Sequence, residues 1–308
     1  MPSQRGADCR PSEHGEVQRV AVGVPTVRRR RLGGKLRSLR GDLTLEEVAE
    51  ASEGAFALSK LSRLENARNA AKPADIDRLL DLYTRLGRDV DDELRAALLD
   101  LTKAGSQRGW WHSYRGVLTP VYEDLISLEA EASSVCMWQM GTIPGLLQTG
   151  DFAREFIRTT AMADGVQAKV DALAEVRLAR QAVLTRENPV DLWAIIAESA
   201  LRVRIKDKGV MREQLSRMLA LSQRPNVNVQ IMPSDAPPHI GQMGSYTLLG
   251  FGDHNDLDVV HTETLTSAVY VEDRHQVSAY RDGFGRLRAS ALSVEASMDR
   301  MTEIRDHL

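Results

Sequence analysis

Cysteine is scarce: the 308 residues contain two, Cys9 and Cys136. Two thiols cannot build the disulfide framework of a small secreted scaffold. They fit a reducing compartment, so a cytoplasmic protein is expected. No apolar run approaches the ~18 residues that a membrane span needs, so no membrane partner is expected. The opening stretch, MPSQRGADCRPSEHGEVQR, is polar and has no apolar h-region, so it reads as no secretory signal. The sequence also lacks a Walker A loop, a G-x-G-x-x-G after a strand, a G-x-S-x-G nucleophile elbow and H-E-x-x-H. No repeat or low-complexity tract is present. Nothing positive therefore supports an enzyme, and no cofactor, metal or catalytic residue is expected.

What remains is ordinary globular composition, 43% hydrophobic and 27% charged. At ~100–200 residues per domain, this length suggests two domains. The net charge of −3 hides an asymmetry, because residues 24–72 carry 11 Lys/Arg against 6 Asp/Glu. A compact basic block on an acidic chain points to nucleic acid. A solvated charged surface is the alternative reading.

Residues 1–23 show no periodicity and are expected to be a disordered tail. Helical spacing then begins at Arg28, with Leu32, Leu36 and Leu39 forming one stripe. Gly33 and Gly34 weaken that helix by ~1 kcal/mol each relative to Ala. A second helix starts at the cap Thr44, with Glu47 completing a capping box. A third covers about 57–66, with Leu58, Leu61 and Leu64 at i, i+3, i+6, and with Leu61 and Leu64 expected to face the core. A fourth starts at Pro73, and a fifth runs over about 90–103. The expected N-terminal domain, 24–104, is all-α with five helices.

Gly105 to Gly109 reads as a hinge. Beyond it, 110–305 reads as an α+β domain. Helices are predicted over 121–138, 151–161, 166–186, 210–222 and 274–305. Period-2 or continuous apolar strands are predicted at 191–198, 227–232, 246–251, 259–263 and 269–272, forming a small, mostly antiparallel sheet.

The second and third helices, joined near Ser52 to Phe56, have the local form of a helix-turn-helix. The third would lie in the major groove, with Ser59, Lys60, Ser62 and Arg63 facing base edges. Arg28, Arg29, Arg30, Arg31 and Arg68 would neutralise phosphates, and Thr44 would contact DNA from the second helix. Double-stranded DNA is the expected partner, bound by a homodimer on paired half-sites.

The segments TLEEVAEAS, SKLSRLENAR and KPADIDRLLDLY resemble the Xre, lambda-repressor-like helix-turn-helix of actinobacterial regulators. The match is carried by Ser59-Lys60-Leu61-Ser62-Arg63-Leu64-Glu65 and Pro73-Ala74-Asp75-Ile76. The loop at Gly41-Asp42 is shorter than that pattern, and the stretch before the third helix is longer. The resemblance implies a structural pair between Glu65 and Arg40. It also implies a glycine where Ala67 stands. Trp110-Trp111, IPGLLQT (143–149), NVNVQIMP, GSYTLLGF, VVHTETLTSAVYVED and FGRLRASALS resemble the domain of unknown function 5753 of WhiJ-related regulators. That likeness implies a C-terminal domain that senses a small-molecule effector, holds a small protein partner encoded nearby, or dimerises. An antitoxin-like protein with autoregulatory DNA binding is the other reading. Relatives commonly begin Met-Pro-Thr-Val-Arg-Arg-Arg. Here Val24 opens the same run, and Val is one reading of the start codon GTG, so translation is expected to begin at position 24.

Three further groups carry a weaker signal. His254, Asp256, Asp258, His261 and Glu263 crowd ten residues, and a polar hairpin outweighs a metal site. Trp110, Trp111, Tyr114 and Tyr122 read as a packed seam at the domain junction. Cys136 reads as a buried structural thiol.

Overall fold

The computed structural model describes residues 26–102, 109–114, 116–160, 164–252, 257–264 and 267–308. The predicted tail, the start at Val24 and most of the 105–109 hinge lie outside the described residues.

The N-terminal part is helical: α1 (Val27–Arg40), α2 (Leu45–Ala51), α3 (Leu58–Glu65), α4 (Pro73–Arg85) and α5 (Asp92–Thr102). Their starts follow local chemistry. Thr26 caps α1 by accepting from the Arg29 N–H, and Pro73 occupies the first turn of α4. Leu36, Val48, Leu61, Ile76, Leu80, Tyr83 and Leu98 close one apolar core. Leu61 and Leu64 are buried as expected, joined by Phe56 from the turn, while Leu58 at the head of the same spacing is 41% exposed.

The C-terminal part differs from expectation in two respects. A 3-10 turn at Trp110–Tyr114 leads to α6 (Pro120–Glu131) and then to a strand, β1 (Ser134–Gln139), where the periodicity predicts continued helix. A further 3-10 turn (Gly145–Leu147), α7 (Gly150–Thr160), α8 (Asp164–Gln167), α9 (Val170–Arg180) and a turn at Gln181–Leu184 cross to β2 (Asp191–Ala197). Next, α10 (Glu198–Leu201) and α11 (Lys208–Leu221) cross to β3 (Val227–Met232). After the turn Ile240–Met243 come β4 (Tyr246–Gly250), β5 (Val259–Glu263), β6 (Ala268–Val271), α12 (Arg274–Ser290) and α13 (Val294–Asp306).

The six strands make one sheet in the order β3-β2-β1-β4-β5-β6. It is mixed, not mostly antiparallel: β1, β2 and β3 run parallel, and β4, β5 and β6 are antiparallel to their neighbours. Helical crossovers cause this, because a parallel neighbour needs a long connection. The near-continuous apolar run of β2 fits a strand covered on both faces. Met211, Leu215, Met218, Met301 and Ile304 cover one face, and Val277, Phe284 and Leu287 of α12 cover the other.

Candidate nucleic-acid interface

The α2–turn–α3 unit is built from backbone chemistry upward. Thr44 and Glu47 form a reciprocal capping box, with Glu47 accepting from the Thr44 N–H at 2.6 Å and Thr44 Oγ1 from the Glu47 N–H at 3.1 Å. At the other end of α2, Ser52 Oγ donates to the Ala49 carbonyl and accepts from the Phe56 N–H. Glu53 (φ 51°) and Gly54 (φ 87°) reverse the chain between them. Thus α3 starts without a side-chain cap, at Ala57.

Two contacts fix α3 against α1. Gly33 lets the helices meet at backbone distance, since a Cβ there would lie 2.6 Å from the Glu65 carbonyl and 2.7 Å from that of Leu64. Arg40 donates to both carboxylate oxygens of Glu65, at 2.7 and 3.1 Å. The resemblance implies this pair, and its geometry is bidentate. Arg37 adds bonds to Asn66 Oδ1 and the Glu65 carbonyl. Burial pushes the Tyr83 hydroxyl, beside this pair, above its ordinary range. Where the resemblance places a glycine, Ala67 takes φ 55°, a left-handed conformation.

The expected DNA-facing residues fall into two groups. Ser59 and Arg63 are exposed on α3, and Ser62 is half-buried, its hydroxyl 3.4 Å from Asn66 Nδ2. Arg68 is exposed in the loop after α3, as is Thr44 ahead of α2. Arg29 is exposed and lines a shallow recess with Asn69, Ala70 and Ala71 of that same loop. Among the described residues, no carboxylate pairs with Arg29, Arg63 or Arg68.

The other four cations are engaged elsewhere. Lys60 pairs with Asp75 at 2.8 Å and lies 5.0 Å from the Phe56 ring centroid, so its ammonium is turned to α4. Arg28 pairs with Glu131, and Arg30 with Glu272 at 2.9 Å. Arg31 is 5% exposed, donates to the Leu257 carbonyl and stacks 3.6 Å from the Phe251 centroid. The arginine run is therefore not the continuous phosphate-facing row that its sequence predicts. A helix turns by ~100° per residue, so adjacent arginines cannot share a face. Two further exposed residues, Leu58 at the start of α3 and Lys72 closing the loop after it, are absent from the expected DNA-facing set. Lys72 had a readable signal, a basic residue closing the loop just before Pro73.

Of the remaining candidates, Trp110 and Glu263 are exposed, and His254 and Asp256 lie outside the described residues. Trp111, Tyr114 and Tyr122 pack on Leu118, Ile126 and Val176, a seam between α6 and α9. A cleft of about 580 Å³ is lined instead by Ser52, Phe56, Arg78, Asp81 and Arg85 of the helical domain. Asp258 is bonded to Arg281 and to the Phe251 N–H, and His261 is buried with its ring 5.0 Å from that of Tyr270; among the described residues no three such side chains come together as a metal site would need. Burial pushes the Cys136 thiol up to about 11, the state of an inert thiol.

A family model described as a domain of unknown function, DUF5753, matches residues 122–303. The chain belongs to the DUF5753 family. A second model, described as a helix-turn-helix domain, matches residues 31–98. No curated protein and no solved structure matches the chain. A helix-turn-helix ahead of a DUF5753 domain indicates a DNA-binding regulator, and no helix of the described residues is long and apolar enough to cross a membrane. Within the DUF5753 domain the IPGLLQT segment is tied down internally. Gln148 donates to the Ile143 carbonyl, Gln181 to those of Gly145 and Gln148, and Gln214 to that of Leu147. Thr149 then accepts from the Phe152 N–H at the start of α7.

Proposed function

We propose that this chain is a sequence-specific transcriptional regulator of the Xre, lambda-repressor-like type found in actinobacteria, acting in the cytoplasm as a homodimer on double-stranded DNA. In this reading α3 enters the major groove. Arg63 donates to a guanine edge, Ser59 and Ser62 read neighbouring bases, and the exposed Leu58 meets a thymine methyl. Arg29, Arg68 and Lys72 hold phosphates, while the Thr44 hydroxyl and N–H are both taken by Glu47. Lys60, Arg28, Arg30 and Arg31 leave the DNA set, because their charges are already met inside the chain. The observation that carries the reading is Arg63, an exposed guanidinium with no carboxylate partner among the described residues, on the outward face of the second helix of a helix-turn-helix. The DUF5753 domain supplies the dimer contact, since one helix in a groove gives limited affinity and specificity.

Genome-wide occupancy of the tagged full chain, with copurifying proteins identified, tests this. A few sharp palindromic sites are expected. On such a site Arg63→Ala lowers specific binding by about 1–3 kcal/mol. Arg29→Ala weakens all DNA equally and lowers the salt slope by about one. Wild-type affinity in Arg63→Ala refutes the register. Absence of sites, with one small protein recovered stoichiometrically, replaces this function with partner binding.

A further inference from the structure

The four arginines that open α1 pose a physical problem. A helix N-terminus carries partial positive charge, so Arg28, Arg29, Arg30 and Arg31 stand where carboxylates are favoured. The sequence of the helical domain supplies no acid in that first turn. The DUF5753 domain supplies several. Glu131, at the end of α6, takes Arg28, and Glu272, just after β6, takes Arg30. Asp124 of α6 faces the Val27 backbone N–H at the start of α1. Asp258 adds its field at Arg31.

Apolar contacts close the same seam. Val27 is 1% exposed and packs into the core of the DUF5753 domain. Leu257 packs in the reverse direction, into the core of the helical domain. Phe251 lies against both cores and stacks on Arg31. Arg31 is buried with one bonded nitrogen, so its charge is held by the surrounding carboxylates and the Phe251 face. Burial pushes Asp124, Glu131, Asp258 and Glu272 above the ordinary carboxylate range, so each is a desolvated acid facing a cation. Meanwhile Arg29, Ser59, Arg63 and Arg68 stay exposed. The seam and the outward face of α3 are therefore different surfaces of one domain.

We propose that Arg28, Arg30 and Arg31 are an interdomain latch by which the DUF5753 domain grips the first turn of α1 and sets the orientation of the helix-turn-helix, with α3 left facing outward. The arginines engage protein carboxylates instead of DNA phosphates. The orientation of α3, and in a dimer the spacing of two such helices, then depends on the DUF5753 domain. Only that consequence rests on the regulator reading; the latch itself is testable without DNA.

The test is a charge swap in the full chain, read by small-angle scattering with far-UV circular dichroism as the fold control. Arg28→Glu with Arg30→Glu raises the radius of gyration at unchanged helix content. Adding Glu131→Arg and Glu272→Arg restores it. Should the reversal unfold the chain, Arg28→Gln with Arg30→Gln is measured between low and ~1 M salt, where screening contracts to about 3 Å. The expected result is expansion at lower salt than wild type. An unchanged radius in a folded variant overturns the latch. So does a loss of DNA affinity that the swapped carboxylates do not restore, since that assigns the arginines to phosphates. Failure of Arg63→Ala to affect DNA binding leaves the scattering result standing and refutes only the recognition helix.

Discussion

Gly33 and Gly34 are neighbours in α1 with the same helix propensity and opposite structural meaning. A methyl at Gly34 meets nothing within 4 Å. Gly34→Ala therefore gains the ordinary helix preference, about 0.5–1 kcal/mol. A methyl at Gly33 lands 2.6 and 2.7 Å from two carbonyl oxygens at the end of α3, well inside contact distance. Those atoms are backbone, and the Glu65 carbonyl also accepts from Arg37. Relief requires lifting α3 off α1, which opens the contact among the buried Leu36, Leu61 and Leu64. Overpacking of this kind costs about 1–3 kcal/mol, against which helix propensity returns at most ~1. Gly33→Ala should lose up to about 2 kcal/mol, and since both variants gain the same helix propensity they differ by the overpacking cost, about 1–3 kcal/mol. Urea and thermal unfolding of the full chain by circular dichroism measure this. For a domain of this size, each kcal/mol moves the helical domain's Tm by about 4–8 °C. DNA binding provides a second reading, because displacing the end of α3 also moves Arg63. Equal stabilisation by both alanines would refute the backbone contact between α1 and α3.

The helical domain was largely legible because its signals are local. Thr44 with Glu47, Pro73, and the spacing of Leu32, Leu36 and Leu39 each act within one turn or one helix. The strands β2 to β6 were legible from apolar runs bounded by Gly, Pro, Asn and Asp. β1 was not, because Leu128, Ala132 and Val135 carry helical spacing on from α6 and no glycine or proline breaks it before Gly141. The parallel pairing of β1 with β2 and β3 was equally hidden, since a strand's direction is set by what crosses between strands. The arginine run shows the same limit at the candidate site. An arginine reads alike whether it will meet phosphate or carboxylate. Its partners, Glu131 and Glu272, stand 103 and 242 positions from Arg28 and Arg30. Leu58 shares the spacing of Leu61 and Leu64 and is nevertheless exposed, whereas Phe56 in the turn, outside that spacing, is buried in the core. The Arg40–Glu65 pair was foreseen through the resemblance, which carries long-range information that spacing does not.

Glu53 is exposed at φ 51°, so Glu53→Gly should stabilise the α2–α3 turn by about 0.5 kcal/mol, left-handed strain of about 1–2 being partly offset by the freer unfolded chain. Ala67→Gly should gain less, because the methyl it removes is buried; urea midpoints rank the two. In a Cys9→Ser background, Cys136 should react with a disulfide reagent about a hundredfold more slowly in the folded chain than in urea, since its thiolate is suppressed; equal rates would show it accessible and ordinary. His261 gives the DUF5753 domain a pH dependence whose sign is fixed by its surroundings. Burial, and secondarily the Arg180 charge, hold its pKa down to about 4, against 6.5 for a free imidazole. The unfolded chain takes up a proton as pH falls through 6.5, and the folded chain declines it until about 4. The neutral histidine's contribution is thus complete above pH 6.5 and is lost through this window at up to about 1.4 kcal/mol per pH unit. The buried carboxylates Glu129 and Asp258 are shifted upward and so act in the opposite sense, which makes the wild-type curve alone ambiguous. The difference between wild type and His261→Gln isolates the histidine. It should vary with pH by about 2 kcal/mol between pH 7 and 5, wild type losing more, while staying flat from pH 7 to 8. A pH-independent difference would mean that His261 is solvated and that the β5–β6 face is open to water.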